Sequence, residues 1–214
     1  MVTENLFDSY GRASASSYTF ANNDLLNYWI EYNNNSSLIS QYHLPNDKTI
    51  TYNYDAFDRL SSKALSNAYS ISYTYKTGVD SSKTTALISQ LRINNEGSST
   101  DTVYDYYYDN VGNITSVFEN GTQYLIYEYD ALGQLTRENS LYANRTYAYR
   151  YDNAGNIYQK EIYAYTIGSL ASATLLDAEA YFYQNSSWGD LLTFLNGTTI
   201  NYDEIGNPLL EEYQ

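Results

Sequence analysis

From residue 68 to residue 75 the chain alternates, with Tyr69, Ile71, Tyr73 and Tyr75 on one side and Ser70, Ser72 and Thr74 on the other. A period of two is that of a β-strand with one greasier face; a helical period would scatter the same residues around a cylinder. Residues 49–54 repeat the pattern with Ile50, Tyr52 and Tyr54 together. Residues 145–151 repeat it again with Tyr147, Tyr149 and Tyr151. The alternation predicts half-buried strands throughout, and no stretch reads as a long amphipathic helix. Two segments break the pattern: residues 94–100, rich in Asn, Gly and Ser, are expected to form a loop. Residues 168–180, with Leu170, Leu175, Leu176 and several Ala, are expected to form a loop or a short helix.

The strands end on a recurring motif. Aligned on a Tyr-Asp pair, the copies read Tyr54-Asp55-Ala56-Phe57-Asp58-Arg59-Leu60, Tyr108-Asp109-Asn110-Val111-Gly112-Asn113-Ile114 and Tyr129-Asp130-Ala131-Leu132-Gly133-Gln134-Leu135. Two more follow, Tyr151-Asp152-Asn153-Ala154-Gly155-Asn156-Ile157 and Tyr202-Asp203-Glu204-Ile205-Gly206-Asn207-Pro208. The central copies are 21 and 22 residues apart, and degenerate copies at Phe7-Asp8, Tyr32-Asn33 and Tyr75-Lys76 fit the same spacing. A fixed period decides the architecture before local structure does. It predicts one continuous array over residues 1–214, roughly nine units of about 21 residues, each a strand, a tight turn and a returning strand.

The turn follows from Asp-x-x-Gly. The Asp side chain accepts hydrogen bonds from the amides after it, and the Gly supplies the positive φ that closes a type I turn with a bulge. Where the Gly is missing, Asp58 stands in, since Asp is among the few residues that tolerate the left-handed region. Asn120-Gly121 and Asn196-Gly197 are two-residue hairpin signals. The fold class is therefore all-β, an array of antiparallel hairpins forming a curved or spiralling sheet.

Composition sharpens this picture. The 28 Tyr against 6 Phe and 2 Pro give an apolar surface built from flat rings with polar tips, which suits a half-buried sheet face. The net charge of −14 disfavours nucleic acid and anionic membranes as partners and serves to keep a Tyr-rich sheet in solution. No Cys is present, so disulfides, thiolate catalysis and Cys-ligated zinc are excluded. The first residues carry neither a basic start nor an apolar stretch, and no run approaches the roughly 18 apolar residues of a membrane helix.

The motif Tyr-Asp-x-x-Gly followed by Asn, Gln or Arg and then Ile or Leu resembles that of the YD-repeat, or Rhs, family. That family includes bacterial Rhs polymorphic toxins, wall-associated proteins, the C component of insecticidal toxin complexes and animal teneurins. The resemblance runs along the whole chain, and the segment from Trp188 through Gly197 into Pro208 looks like the last repeats of Gram-positive members. It implies a strip of hairpins that spirals into a hollow shell, in some members around a toxic C-terminal domain, and a secreted or cell-surface setting. The plug-like region that follows the repeats in the family is not found here, so the chain is expected to be a segment of a longer polypeptide. About eighteen strands at roughly 4.8 Å would close into a ring only about 27 Å across, too narrow for a cargo of about 33 Å. The expected partners are the rest of that polypeptide, an enclosed toxin domain, and further copies pairing through open strand edges.

Little in the chain suggests catalysis. His43 is the only histidine, so a multi-histidine metal site cannot be assembled; it is expected in a surface loop. The pairs Asp203/Glu204, Glu128/Asp130 and Asp101/Asp105 offer carboxylates, but Asp130 and Asp203 already have a turn role. Asp109 to Asn113 lacks the acidic positions of a calcium loop. No cofactor or metal is expected, and the chain is expected not to be an enzyme. The residues expected to matter are the repeat signature: Tyr54, Asp55, Tyr108, Asp109, Gly112, Tyr129, Asp130, Gly133, Tyr151, Asp152, Gly155, Tyr202, Asp203 and Gly206. An alternative function is a carbohydrate-binding or adhesive module, in which Trp188, Tyr147 and Tyr149 stack on sugar rings; the commoner role of such Tyr rows is cross-strand packing.

Overall fold

The computed structural model describes residues 2–209, apart from 23, 24, 35, 46, 81 and 82. The described residues are almost wholly strand and turn, and they fall into two compact units, 1–106 with 119–121 and 107–118 with 122–214.

The first unit is a meander of β1 (Val2–Phe7), β2 (Ala13–Thr19), β3 (Leu25–Tyr32), β4 (Ile39–His43), β5 (Thr49–Tyr54), β6 (Leu60–Leu65), β7 (Tyr69–Thr77), β8 (Thr84–Asn95) and most of β9 (Thr102–Tyr108). Each strand pairs antiparallel with the next. The register puts the alternation to use. One face carries the row Tyr42, Ile50, Leu65 and Tyr69. The other carries Thr51, Ala64, Ser70 and Asn94. From β4 to β8 one face is thus greasier and the other small and polar.

The second unit continues with β10 (Ile114–Glu119), β11 (Thr122–Tyr129), β12 (Leu135–Ser140), β13 (Arg145–Tyr151), β14 (Ile157–Ala164), β15 (Leu175–Phe182), β16 (Phe194–Leu195) and β17 (Thr198–Thr199). Neighbours again pair antiparallel from β11 to β17, and β18 (Asn201–Tyr202) forms a short hairpin with β19 (Pro208–Leu209). Asn120 (φ 49°) and Gly121 (φ 80°), like Asn196 (φ 51°) and Gly197 (φ 82°), hold both central residues of their hairpin turns in the left-handed region, as a two-residue turn between twisted strands requires.

Three expectations need correction. The stretch 168–180 contains only one 3-10 turn, Leu170–Ser172, before β15 begins at Leu175. Alternation of Leu175, Asp177 and Glu179 with Leu176, Ala178 and Ala180 is weak, and pairing with β14 decides the matter. The segment 94–100 is not all loop, because Asn94 and Asn95 still pair with Ser70 and Tyr69. His43 is the last residue of β4 and lies opposite Trp29. Its ring stacks on that indole at 4.4 Å and 9°, and its Nε2 lies 2.9 Å from Glu31 Oε1.

Few side chains are buried. Among the described residues the buried apolar ones are Val117, Ala148 and Tyr163, outnumbered by Ser116, Arg137, Asn139, Ser140 and Thr146. Arg137, Asn139 and Thr146 share one face of the second unit, beneath the segment after β14. Thr146, 0% exposed, shares its hydroxyl proton between Asn139 Oδ1 (2.9 Å) and the Thr166 carbonyl (3.0 Å), and accepts the Thr166 amide at 3.0 Å. Arg137 donates through Nε to Asn139 and through Nη2 to the carbonyls of Thr166 and Gly168. With so little hydrophobic burial, order depends on strand pairing and on satisfied polar contacts.

Candidate functional site

The repeating element is the turn and what it grips. In each unit the Asp amide donates to the carbonyl four residues on: Asp55 to Arg59 (2.9 Å), Asp109 to Asn113 (2.9 Å), Asp130 to Gln134 (3.0 Å), Asp152 to Asn156 (2.9 Å) and Asp203 to Asn207 (3.0 Å). Its Oδ1 accepts the amides two and four residues on, at 2.8–3.0 Å in these five turns. The carboxylate is therefore spent inside its own turn, and Asp109 has both oxygens so engaged. A side chain that satisfies several amides at once fixes the loop before any tertiary contact forms.

The fourth position needs a positive φ, and Gly155 has 89° while Asp58, standing in for Gly, has 59°. The strand register slips by one just before the motif Tyr, between Asn53 and Tyr54, Glu128 and Tyr129, and Arg150 and Tyr151. That slip is the bulge expected from the turn type.

The residue four after the Asp is Gln at 134 and otherwise Asn or Arg in these turns. Asn113, Asn156 and Asn207 donate from Nδ2 to their own Asp Oδ2. Arg12 and Arg59 donate from Nε to Asp8 and Asp55 at 2.7 Å. The Arg then reaches onward, Arg12 standing 4.1 Å over the Tyr32 ring and Arg59 3.9 Å over the Tyr75 ring. Arg12 also donates to the Ser36 carbonyl, and Arg59 to Thr84 Oγ1 and the Thr85 carbonyl. The hydrogen bond from Arg59, helped by the amides of Phe57 and Arg59, holds the Asp55 carboxyl below its usual range. Asp152 and Asp203 are lowered in the same way, chiefly by Asn156 and Asn207.

The signature Tyr does something its sequence pattern does not announce. Its hydroxyl donates to a backbone carbonyl in the preceding unit, in six of seven cases at the first residue of a strand. Tyr54 bonds Ile39 (2.9 Å), Tyr75 bonds Leu60 (2.8 Å), Tyr129 bonds Ile114 (2.8 Å) and Tyr151 bonds Leu135 (2.8 Å). Tyr32 bonds Ala13 (2.7 Å), Tyr183 bonds Ile157 (3.0 Å) and Tyr202 bonds Leu192 (2.7 Å). Seven units are thus clasped to the one before them. Tyr183, absent from the sequence-based set, belongs to this series; Asn185 replaces the turn Asp and accepts the amides of Ser187 and Trp188. Its position, 32 residues after Tyr151, lies off the repeat spacing because the segment after β14 intervenes.

The three aromatic candidates for sugar stacking lie in two places. Trp188, 50% exposed, borders an open cleft of about 480 Å³ with Asn185, Leu191, Tyr202 and Asp203. One edge of its indole lies against Gly206, where a Cβ would stand 3.0 Å from Cζ3. Tyr147 and Tyr149 lie on β13, outside that cleft. Lys160 stands 5.5 Å over the Tyr147 ring and 3.2 Å from Glu179, which also accepts the Tyr181 hydroxyl at 2.6 Å. Burial, reinforced by Glu138, pushes the Tyr149 hydroxyl up to about 12.

Residues 108–141 match the family model for the RHS Repeat. Among solved structures the chain is similar to the Photorhabdus luminescens Tc holotoxin pore, with a TM-score of 0.66 and 15% identity over 99% of this chain and 12% of that one. It is similar also to TcdB2-TccC3, with a TM-score of 0.65 and 15% identity over 96% of this chain. The chain spans about 12% of the length of each. At this identity the likeness is one of fold. No curated protein matches the sequence.

Proposed function

Starting from an RHS repeat at residues 108–141 and a fold shared along the chain with Tc toxin structures, we propose that this chain is a structural wall segment. The longer polypeptide it belongs to is a secreted or cell-surface Rhs-type protein, and its wall encloses a toxin or effector domain. The observation that carries the reading is the clasp. A Tyr hydroxyl in one unit bound to a carbonyl in the unit before it makes a continuous structure rather than a pocket, and the motif Asp carboxylates are engaged inside their own turns.

The test uses the complete polypeptide that carries this chain. Electron microscopy is expected to show a hollow particle, and protease digestion to spare an internal domain until the particle is opened by denaturant. A particle without a cavity, or a domain digested as fast in the closed particle as in the opened one, overturns the enclosure.

A second reading is favoured by the half-exposed Trp188 beside its polar cleft, in which an indole face and the Asn185 and Asp203 side chains offer the stacking and hydrogen bonds a sugar ring uses. Binding on a glycan array that disappears in Trp188→Ala supports it; no binding, or binding that survives the substitution, discards it.

A further inference from the structure

Tyr18 on β2 and Tyr28 on β3 stand apart from the other tyrosines of the first unit. They are diagonal neighbours on the Tyr face, since Tyr18 pairs with Leu26 and Tyr28 with Ser16. Their rings are stacked with centroids 5.9 Å apart and 30° between planes. Their hydroxyl oxygens lie 3.1 Å apart, so the phenol heads, the reactive ends of the rings, meet each other. Both side chains are only part-buried, which leaves them open to a small oxidant.

We propose that Tyr18 and Tyr28 form a site of oxidative cross-linking, joined by a carbon–carbon bond between their Cε atoms when the protein meets peroxide and a peroxidase. Each phenol gives up one electron and one proton. The two phenoxyl radicals couple through one Cε of each ring, and the ring hydrogens at the new bond move to the oxygens, restoring two phenols. The two electrons and two protons reduce one hydrogen peroxide to two waters. The product is the starting pair less two hydrogen atoms.

The geometry favours this pair for two reasons. Two radicals held on adjacent strands meet at a high effective concentration, so coupling outruns encounters between molecules. The Ser16 and Tyr18 hydroxyls also draw the Tyr28 pKa below the usual phenol value, while the same contact with Tyr28 raises that of Tyr18, so Tyr28 is the phenol of the pair that loses its proton first. Ring proximity alone is not distinctive: Tyr28 and Tyr42 are 6.1 Å apart, and Tyr124 and Tyr142 are 5.9 Å apart with Tyr142 82% exposed. The hydroxyl contact between Tyr18 and Tyr28 sets the preference. The resulting bond would staple β2 to β3, independently of whether the polypeptide encloses a cargo.

The experiment treats the dilute chain with hydrogen peroxide and peroxidase, then digests it under denaturing conditions with a protease that cuts at acidic residues. Asp24 separates the two tyrosines, and Glu31 separates Tyr28 from Tyr32 and Tyr42. The expected product is a monomer with dityrosine fluorescence, whose Tyr18 and Tyr28 peptides stay joined and together lack the mass of two hydrogens. Tyr18→Phe and Tyr28→Phe are each expected to abolish that peptide pair, and Tyr158→Phe to leave it. Wild type oxidised in urea is expected to lose the preference, which separates folded geometry from mere abundance of tyrosine. No joined pair in the folded wild type, preferential joining at other tyrosines, or a pair that forms equally in urea overturns the proposal.

Discussion

The hydroxyl of Tyr151 donates to the carbonyl of Leu135 across 2.8 Å, and through that bond the turn of one repeat holds the return strand of the repeat before it. Replacing Tyr151 with Phe keeps the ring and removes only the clasp. The expected loss is about 1 kcal/mol, the net worth of a part-buried hydrogen bond, read as a lower urea midpoint with an unchanged slope. Tyr158→Phe, exposed and outside the series, should leave the midpoint in place.

Gly155→Val forces a β-branched residue to φ 89° and brings a Cβ to 3.3 Å from Gln134 Nε2. The expected cost is about 1–3 kcal/mol, measured by the same unfolding curves. Asp58→Gly, at the equivalent place in another turn, should be tolerated, because Gly adopts φ 59° without steric penalty.

Arg59→Lys keeps the charge but not the fork. Lysine cannot reproduce the guanidinium's flat stacking on Tyr75 while also reaching Asp55 and Thr84. A loss of about 1 kcal/mol is expected from the stacking alone. The amide of Thr85, in the strand that Arg59 reaches, should exchange its hydrogen faster in the variant.

Thr146→Val preserves shape in the buried polar group and removes the hydroxyl that accepts the Thr166 amide. Leaving that amide without its partner should cost about 1–3 kcal/mol. The loss should appear as faster hydrogen exchange at Thr166 before global unfolding.

Acid should weaken the turns together. The pKa values of Asp55, Asp152 and Asp203 are held below the ordinary 3.8 in the folded chain. The unfolded chain therefore binds more protons in that range, and stability present above 3.8 is lost as pH falls through the lower native values. Urea midpoints should be flat near neutrality and drop below about pH 4. Asp152→Asn, which retains an acceptor oxygen but cannot titrate, should make that drop shallower; an unchanged drop would remove Asp152 from the account.

Much of the fold is local, and local structure is written in local sequence. Alternation in residues 68–75 assigns the two faces of β7, and Asp152 with Gly155 specifies the turn from β13 to β14, bulge included, within five residues. These features depend on backbone sterics and on hydrogen bonds between near neighbours, so a single copy of the motif carries them. Partners far along the chain are a different matter. No pattern indicates that Tyr54 meets the Ile39 carbonyl, that Tyr183 joins the series, or that Arg59 reaches Thr84, because the backbone carbonyl is the same in every residue and only the register selects which one is met. The same register turns residues 175–180 into a strand against β14, places His43 on Trp29, and buries Arg137, Asn139 and Thr146 beneath Thr166. Sequence alone determined the repeat, its strands and its turns; tertiary structure decided which distant groups those strands bring within hydrogen-bonding distance, since that depends on pairing between strands and not on any one strand's own residues.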